Sequence, residues 1–327
     1  MSNWAADGAE LGARLRDRDL RVAPAVLNLV ESRTAPAREQ TEVLLAAVSP
    51  AALGGEAPAH VVGITGPPGV GKSSLLSRLL AEWRSRGRSV AVLAVDPTSR
   101  RSGGALLGDR ARIEVDPSDK AVFVRSTAAG DRLGGLAPAT RAAATALAAA
   151  FDVVVIETVG VGQSETEVAD VADTVAVVVQ PGSGDVLQFL KAGIMEVPDV
   201  LVVTKADLGQ VATRALADLR AALRSLCACP DVEVVSVSSV PPPAGIGELV
   251  DALDAHRAGL DLPACRARAR RMHALADFAA EHGERGLRAL GGRRQAERWL
   301  ADQEQDLDVT ALHRALEQRA QRDGLGK

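Results

Sequence analysis

The chain has 327 residues, too many for one minimal domain, and its 38 basic and 42 acidic side chains leave a net charge of −4, which excludes a global pull toward nucleic acid or anionic membranes. Aromatic residues are only 2% of the composition and tyrosine is absent, so Ala, Val and Leu must fill the core. Three cysteines, Cys227, Cys229 and Cys265, are too few and too poorly spaced for a disulfide framework or a zinc site; with no apolar signal core and no long apolar run, the expectation is a soluble, cytoplasmic protein.

From about Ala6 to Ser49, Leu11, Leu15, Val22, Val26, Leu29 and Val30, then Val43, Leu44, Leu45 and Val48, recur at helical steps. They predict an N-terminal helical extension over residues 1–58, with a Pro-, Gly- and Ala-rich linker from Ser49 to Ala59. β-Branched runs then alternate with longer helical ones: His60–Thr65, Ser89–Asp96, Ala121–Ser126, Asp152–Thr158, Thr174–Gln180, Val200–Thr204 and Val232–Val237. Such continuous apolar strands predict an α/β domain over 59–262, a mostly parallel sheet flanked by helices, with ligands at the carboxyl ends of the strands. A last helix of this domain runs from Gly245 to about His256. Beyond Pro263, three charged amphipathic helices are expected, carried by Met272, Leu275 and Phe278, by Ala296, Trp299 and Leu300, and by Val309, Leu312 and Leu316. They suit docking or self-association over 263–327.

The chemistry begins at Gly66-Pro67-Pro68-Gly69-Val70-Gly71-Lys72-Ser73-Ser74, between the first strand and a helix. This is the P-loop pattern: glycines let backbone N–H groups wrap phosphates, Lys72 reaches the outer phosphates, and the Ser73 hydroxyl can take Mg2+. After the second strand, Asp96-Pro97-Thr98-Ser99 and the glycine-rich stretch to Gly108-Asp109-Arg110 offer two more carboxylates on a loop able to close over the metal, although Asp96 also suits a helix cap or turn. Glu157, at the end of the fourth strand, can hold Mg2+ directly or through water, and the Gly160 N–H can sense a γ-phosphate. Gly182-Ser183-Gly184-Asp185 and Lys191 follow the fifth strand on the same edge and read equally as a surface loop. Thr204-Lys205-Ala206-Asp207 lies where the base would sit; the Asp207 carboxylate can accept both guanine N–H donors, which adenine lacks, and Ser238 is a second contact on that side.

Together these residues resemble the P-loop GTPases that chaperone adenosylcobalamin-dependent acyl-CoA mutases, such as methylmalonyl-CoA mutase, the MeaB/ArgK group. The resemblance covers most of the chain, from Ala23–Glu31 through the P-loop, Asp96–Ser99, Ser102–Arg110, Leu133–Leu136, Glu157–Glu165, Gly184-Asp185 with Gln188 and Lys191–Gly193, to Lys205-Ala206-Asp207. It implies a Mg2+-dependent GTPase that dimerises through its C-terminal helices and couples nucleotide state to loading and protection of the mutase, whose adenosylcobalamin sits on the partner. Asp96, Asp109 and Glu157 match positions associated with magnesium and switch movement, and Asp185 and Lys191 match a third switch through which the mutase stimulates hydrolysis. Thr204 stands where the family usually has Asn, which implies a looser bond between base loop and P-loop. Arg100-Arg101, Ala128–Asp131 and Pro198 also depart from the pattern and bear on partner identity. Three other readings remain, one of them a nucleotide-gated scaffold with vestigial hydrolysis, against which the intact Lys72, Ser73 and Glu157 speak. A small-molecule kinase of the arginine-transport type would need an acceptor base that no element supplies, and a metal-insertion GTPase would need His-rich or Cys-x-x-Cys segments, whereas the five histidines are scattered.

Overall fold

A computed structural model describes residues 7–96, 113–128, 136–158, 167–182, 198–226 and 232–323. Arg100, Arg101, Asp109, residues 129–131, Gly160, Asp185, Lys191, Cys227 and Cys229, singled out from the sequence, lie outside them. The chain divides into two compact units, Ala59–Gly259 and a second built from Met1–Pro58 with Leu260–Lys327.

The N-terminal part of the second unit holds α1 (Gly8–Arg16), α2 (Ala23–Glu31), α3 (Ala35–Ala47) and the short α4 (Pro50–Leu53). Asp7 starts α1 by accepting from the N–H groups of Ala9 and Glu10, satisfying two donors that lack helical partners. The segment expected as a linker from Ser49 is not wholly irregular. Ser49 Oγ accepts from the Ala52 N–H at 3.3 Å, Pro50 occupies the first turn, and Gly54 ends the helix at φ 73°.

The larger unit carries the expected sheet: β1 (His60–Thr65), β2 (Val90–Asp96), β3 (Val122–Ala128), β4 (Val153–Glu157), β5 (Thr174–Val179), β6 (Val200–Val203) and β7 (Glu233–Ser236). Its order is β3-β2-β4-β1-β5-β6-β7, and every pairing is parallel. Strands β1, β4, β5 and β6 are buried at every residue, as sequences without period-two alternation require when both faces are covered. The helices are α5 (Lys72–Ser85), α6 (Pro138–Ala148), α7 (Gln210–Leu226) and α8 (Ile246–Ala258). Helix α6 lies against β1, β2 and β4, while α5 and α8 pack on one another. With so few aromatics, one ring matters: Trp83 of α5 is 1% exposed in a cluster with Leu76, Leu79, Val92 and Leu253.

The opposite edge of the sheet from the strand carboxyl ends holds a polar chain. His60 Nε2 lies 2.8 Å from Thr174 Oγ1, which is 2.9 Å from His256 Nδ1, while Arg88 grips Asp254 through two bonds of 2.8 and 2.7 Å. Burial pushes the His60 imidazole below its ordinary pKa, against the opposing pull of Asp254. A histidine whose folded pKa is depressed stabilises the fold fully above its unfolded value, near 6.5, and that stability is lost as pH falls through it. Burial also raises the Asp254 carboxyl, but the two bonds from Arg88 and the nearby His60 ring, 3.7 Å away, outweigh it and hold the group below the ordinary range; its contribution is lost only at more acid pH, below about 4. Urea midpoints are therefore expected to fall from about pH 7.5 to about pH 5.5, and less steeply in His60→Gln. Identical slopes in the two proteins would exclude His60 as the group responsible.

The second unit is completed by α9 (Leu262–Ala289), α10 (Arg293–Ala301) and α11 (Val309–Asp323), the three expected C-terminal helices. Helix α9 breaks at Gly283, whose φ of 60° and ψ of −161° are not helical. Phe278, Leu275, Leu287, Leu300, Leu312 and Leu316 form its core. Arg270 forks onto Glu56 with bonds of 3.0 and 2.8 Å, tying α9 to the segment after α4. Among the described residues no helix is long and apolar enough to cross a membrane.

Candidate nucleotide site

The site is built at the carboxyl ends of β1, β4, β6 and β7. As β1 ends, the chain turns at Gly66, where a Cβ would lie 2.1 Å from the Val178 carbonyl oxygen, so no larger residue fits. Gly71 then takes φ 100° immediately before α5, a left-handed conformation that points the loop back over the N-terminus of a 14-residue helix. Pro67, Pro68, Gly69 and Val70 lie between these turns. Lys72 is buried at 8% exposure, and its Nζ donates to the carbonyls of Gly66 at 2.7 Å and Pro67 at 3.1 Å, folding its charge over the loop.

Ser73, one residue further on α5, donates its hydroxyl to Glu157 Oε1 at 3.1 Å. Register explains the meeting, because β4 pairs directly with β1 and Glu157 stands opposite Ile64. Glu157 is 2% exposed. A hydroxyl and a carboxylate converging beside a phosphate-binding loop form a hard, all-oxygen donor set, which fits Mg2+. Asp96 closes β2 on the same edge, two residues beyond Ala94, the partner of Glu157; its side chain lies outside the described residues.

On the base side, Thr204 follows β6 and is 3% exposed. Its Oγ1 lies 2.8 Å from the Val70 carbonyl and 3.0 Å from that of Val179. At this Asn-to-Thr departure the shorter side chain still reaches the P-loop from its buried position. Removing the hydroxyl in Thr204→Val is expected to cost about 1–3 kcal/mol in urea denaturation and to weaken GDP binding with it. Unchanged GDP affinity would show that the tether does not shape the loop.

Lys205 sits at φ 56° and its Nζ donates to Gln180 Oε1. Asp207 lies in the one-turn helix Ala206–Leu208, and α7 begins just beyond it at Gln210. Its Oδ1 accepts from Ser238 Oγ at 2.8 Å, and Ser238 Oγ in turn accepts from the Val240 N–H at 3.2 Å. Val70, Gly71, Ser74, Thr204, Lys205 and Asp207 line a cavity of about 330 Å³. Arg78 and Ser239 also line it and were not singled out in the sequence. Arg78 Nε donates to the Ser239 carbonyl at 3.0 Å; its one available signal was its place a helical turn after Ser74.

The family profile described as methylmalonyl-CoA mutase-associated GTPase MeaB matches residues 22–287. The chain belongs to this family. A Pyrococcus horikoshii protein provisionally designated a GTPase is 48% identical over 199 residues, 61% of this chain and 60% of its own length. The chain therefore spans about three fifths of that relative. A Mycobacterium tuberculosis protein with the same provisional designation is 41% identical over 256 residues, 76% of this chain and 74% of its own. The mitochondrial methylmalonic aciduria type A homolog of Caenorhabditis elegans is 42% identical over 189 residues, covering 55% of this chain and 47% of that protein. Among solved structures, a LAO/AO transport system kinase superposes with a TM-score of 0.62 at 28% identity, over 92% of this chain and 99% of its own. The P-loop GTPase fold expected from the MeaB-like motifs is thus the fold observed.

Proposed function

We propose that this MeaB-family protein is a Mg2+-dependent GTPase that hydrolyses GTP to GDP and phosphate, and that its nucleotide state gates cofactor loading and protection of an adenosylcobalamin-dependent acyl-CoA mutase. The observation that carries the first part is the Ser73 hydroxyl 3.1 Å from Glu157 Oε1, beside Lys72 at the N-terminus of α5. Ser73 and Glu157 would hold Mg2+, which when bound neutralises charge on the β- and γ-phosphates. Lys72 exchanges its bonds to the Gly66 and Pro67 carbonyls for the outer phosphate oxygens, where its charge stabilises the transition state. Asp207 accepts the two guanine N–H donors, with Ser238 holding its carboxylate.

In this reading Asp96 and Asp109 act with the metal and first switch, Gly160 senses the γ-phosphate, and Asp185 with Lys191 transmits stimulation by the mutase. The support is their match to the MeaB-type motifs. The mutase partner is supported by the family's description and by the name of the nematode relative. The 263–327 region serves as the homodimerisation surface, and sparse cysteines fit a cytoplasmic setting.

The test is phosphate release from GTP and ATP, with Mg2+ or with EDTA, alone and with candidate acyl-CoA mutases. Slow, metal-dependent, GTP-selective turnover accelerated by one mutase is expected. Turnover indifferent to every mutase removes the partner, and γ-phosphate found on an acceptor rather than in solution replaces hydrolysis with a kinase.

A further inference from the structure

Away from the nucleotide residues, the C-terminal helical unit gathers Glu281, His282 and His313, one ligand atom of each within 4.8 Å of the others. We propose that these three side chains form a binding site for a late transition-metal ion of the Zn2+, Co2+ or Ni2+ class, joining α9 to α11. Two imidazoles with a carboxylate match that class, whereas Mg2+ and Ca2+ prefer all-oxygen sets. Bonds of about 2.0–2.1 Å in a tetrahedral site place donors roughly 3.3 Å apart, so the present spacing must close by up to about 1.5 Å, within reach of side-chain rotation.

Several features prepare this cluster. The His282 and His313 rings are nearly parallel, 23° apart with centroids at 6.3 Å. Phe278 walls them from one side, with ring centroids at 4.5 and 6.0 Å. Gly286 makes room for His282, since a Cβ there would lie 2.4 Å from the His282 Cβ and 3.2 Å from the Phe278 ring. His282 Nε2 is buried and makes no hydrogen bond among the described residues, although Glu317 Oε1 is 3.4 Å away. His313 Nε2 stands 3.6 Å from Glu281 Oε2. Glu317, one turn after His313, adds a second negative charge, so neutral imidazoles leave the cluster at −2, which a divalent ion offsets. The break in α9 at Gly283 directly follows the two ligands that this helix contributes.

Binding to the folded state alone makes the ion a clamp between α9 and α11. The test uses the full chain, stripped of metal, with GDP and millimolar Mg2+ saturating the nucleotide site, titrated with Zn2+ by calorimetry and with Co2+ by visible absorption. One equivalent of Zn2+, a tetrahedral Co2+ spectrum and a raised Tm are expected. His313→Gln and Glu281→Gln, both near the surface, should each weaken Zn2+ binding at least tenfold with circular dichroism unchanged. His282→Gln, which keeps much of the packing against Phe278, gives the third arm. No saturable binding, or a Zn2+ affinity that all three variants retain, overturns the proposal and leaves the cluster as histidine–glutamate ion pairs or the metal on another group such as the exposed Cys265.

Discussion

Lys72→Ala is expected to lower the rate of GTP hydrolysis by about two to three orders of magnitude, the effect of removing one preorganised donor from a site of developing charge, or roughly 3–4 kcal/mol of barrier. Lys72 is already 8% exposed with its ammonium held on the loop carbonyls, so in the proposed role it brings little water to the phosphates. Its dispensable bonds lie in the same place: the Gly66 and Pro67 carbonyls keep the loop's other contacts, including the Thr204 tether to Val70. The variant should therefore lose about 1 kcal/mol in urea denaturation while losing far more in single-turnover hydrolysis. Measuring both, with GDP affinity, separates a damaged loop from a missing charge. A Lys72→Ala protein that folds, binds GDP and turns over GTP within tenfold of the parent excludes the role given to this lysine.

Much of the larger unit was legible because β1, β4, β5 and β6 are buried at every residue and therefore largely apolar; the seven β-branched runs gave seven strands with ends displaced by at most two residues. The P-loop was legible for a different reason, since Gly66 and Gly71 occupy positions where only glycine fits the backbone. What the sequence hid was geometry spanning long separations. The motifs assign Ser73 and Glu157 to one metal, but the hydrogen bond between the two side chains, 84 residues apart, follows from β4 crossing to lie beside β1. The Thr204 tether was not legible either, because a motif compares side chains, whereas the tether depends on how close two backbones run. The His282–His313 cluster was invisible for the same reason: scattered histidines converge only when α9 and α11 pack, after the break at Gly283.

The second large effect is expected at the base. Asp207→Asn should reduce kcat/KM for GTP by about two to four orders of magnitude and make xanthosine triphosphate the better substrate. The direction follows from Ser238, which fixes the rotamer. Its oxygen accepts from the Val240 N–H, so its own proton is aimed at Asp207 Oδ1, 2.8 Å away. In the asparagine variant the amide oxygen keeps that bond, and the NH2 group is turned toward the base. Guanine presents donors there, so donor faces donor and a desolvated amine is left unsatisfied; xanthine presents a carbonyl at the same carbon and accepts. Folding should change little, because the bond within the protein survives, and urea midpoints check this. The additional change Ser238→Ala releases the amide to rotate and should restore part of the GTP activity while lowering the preference for xanthosine triphosphate. If Asp207→Asn keeps its preference for GTP over xanthosine triphosphate, the carboxylate does not read the base, and guanine selectivity must be sought elsewhere in the cavity lined by Arg78 and Ser239.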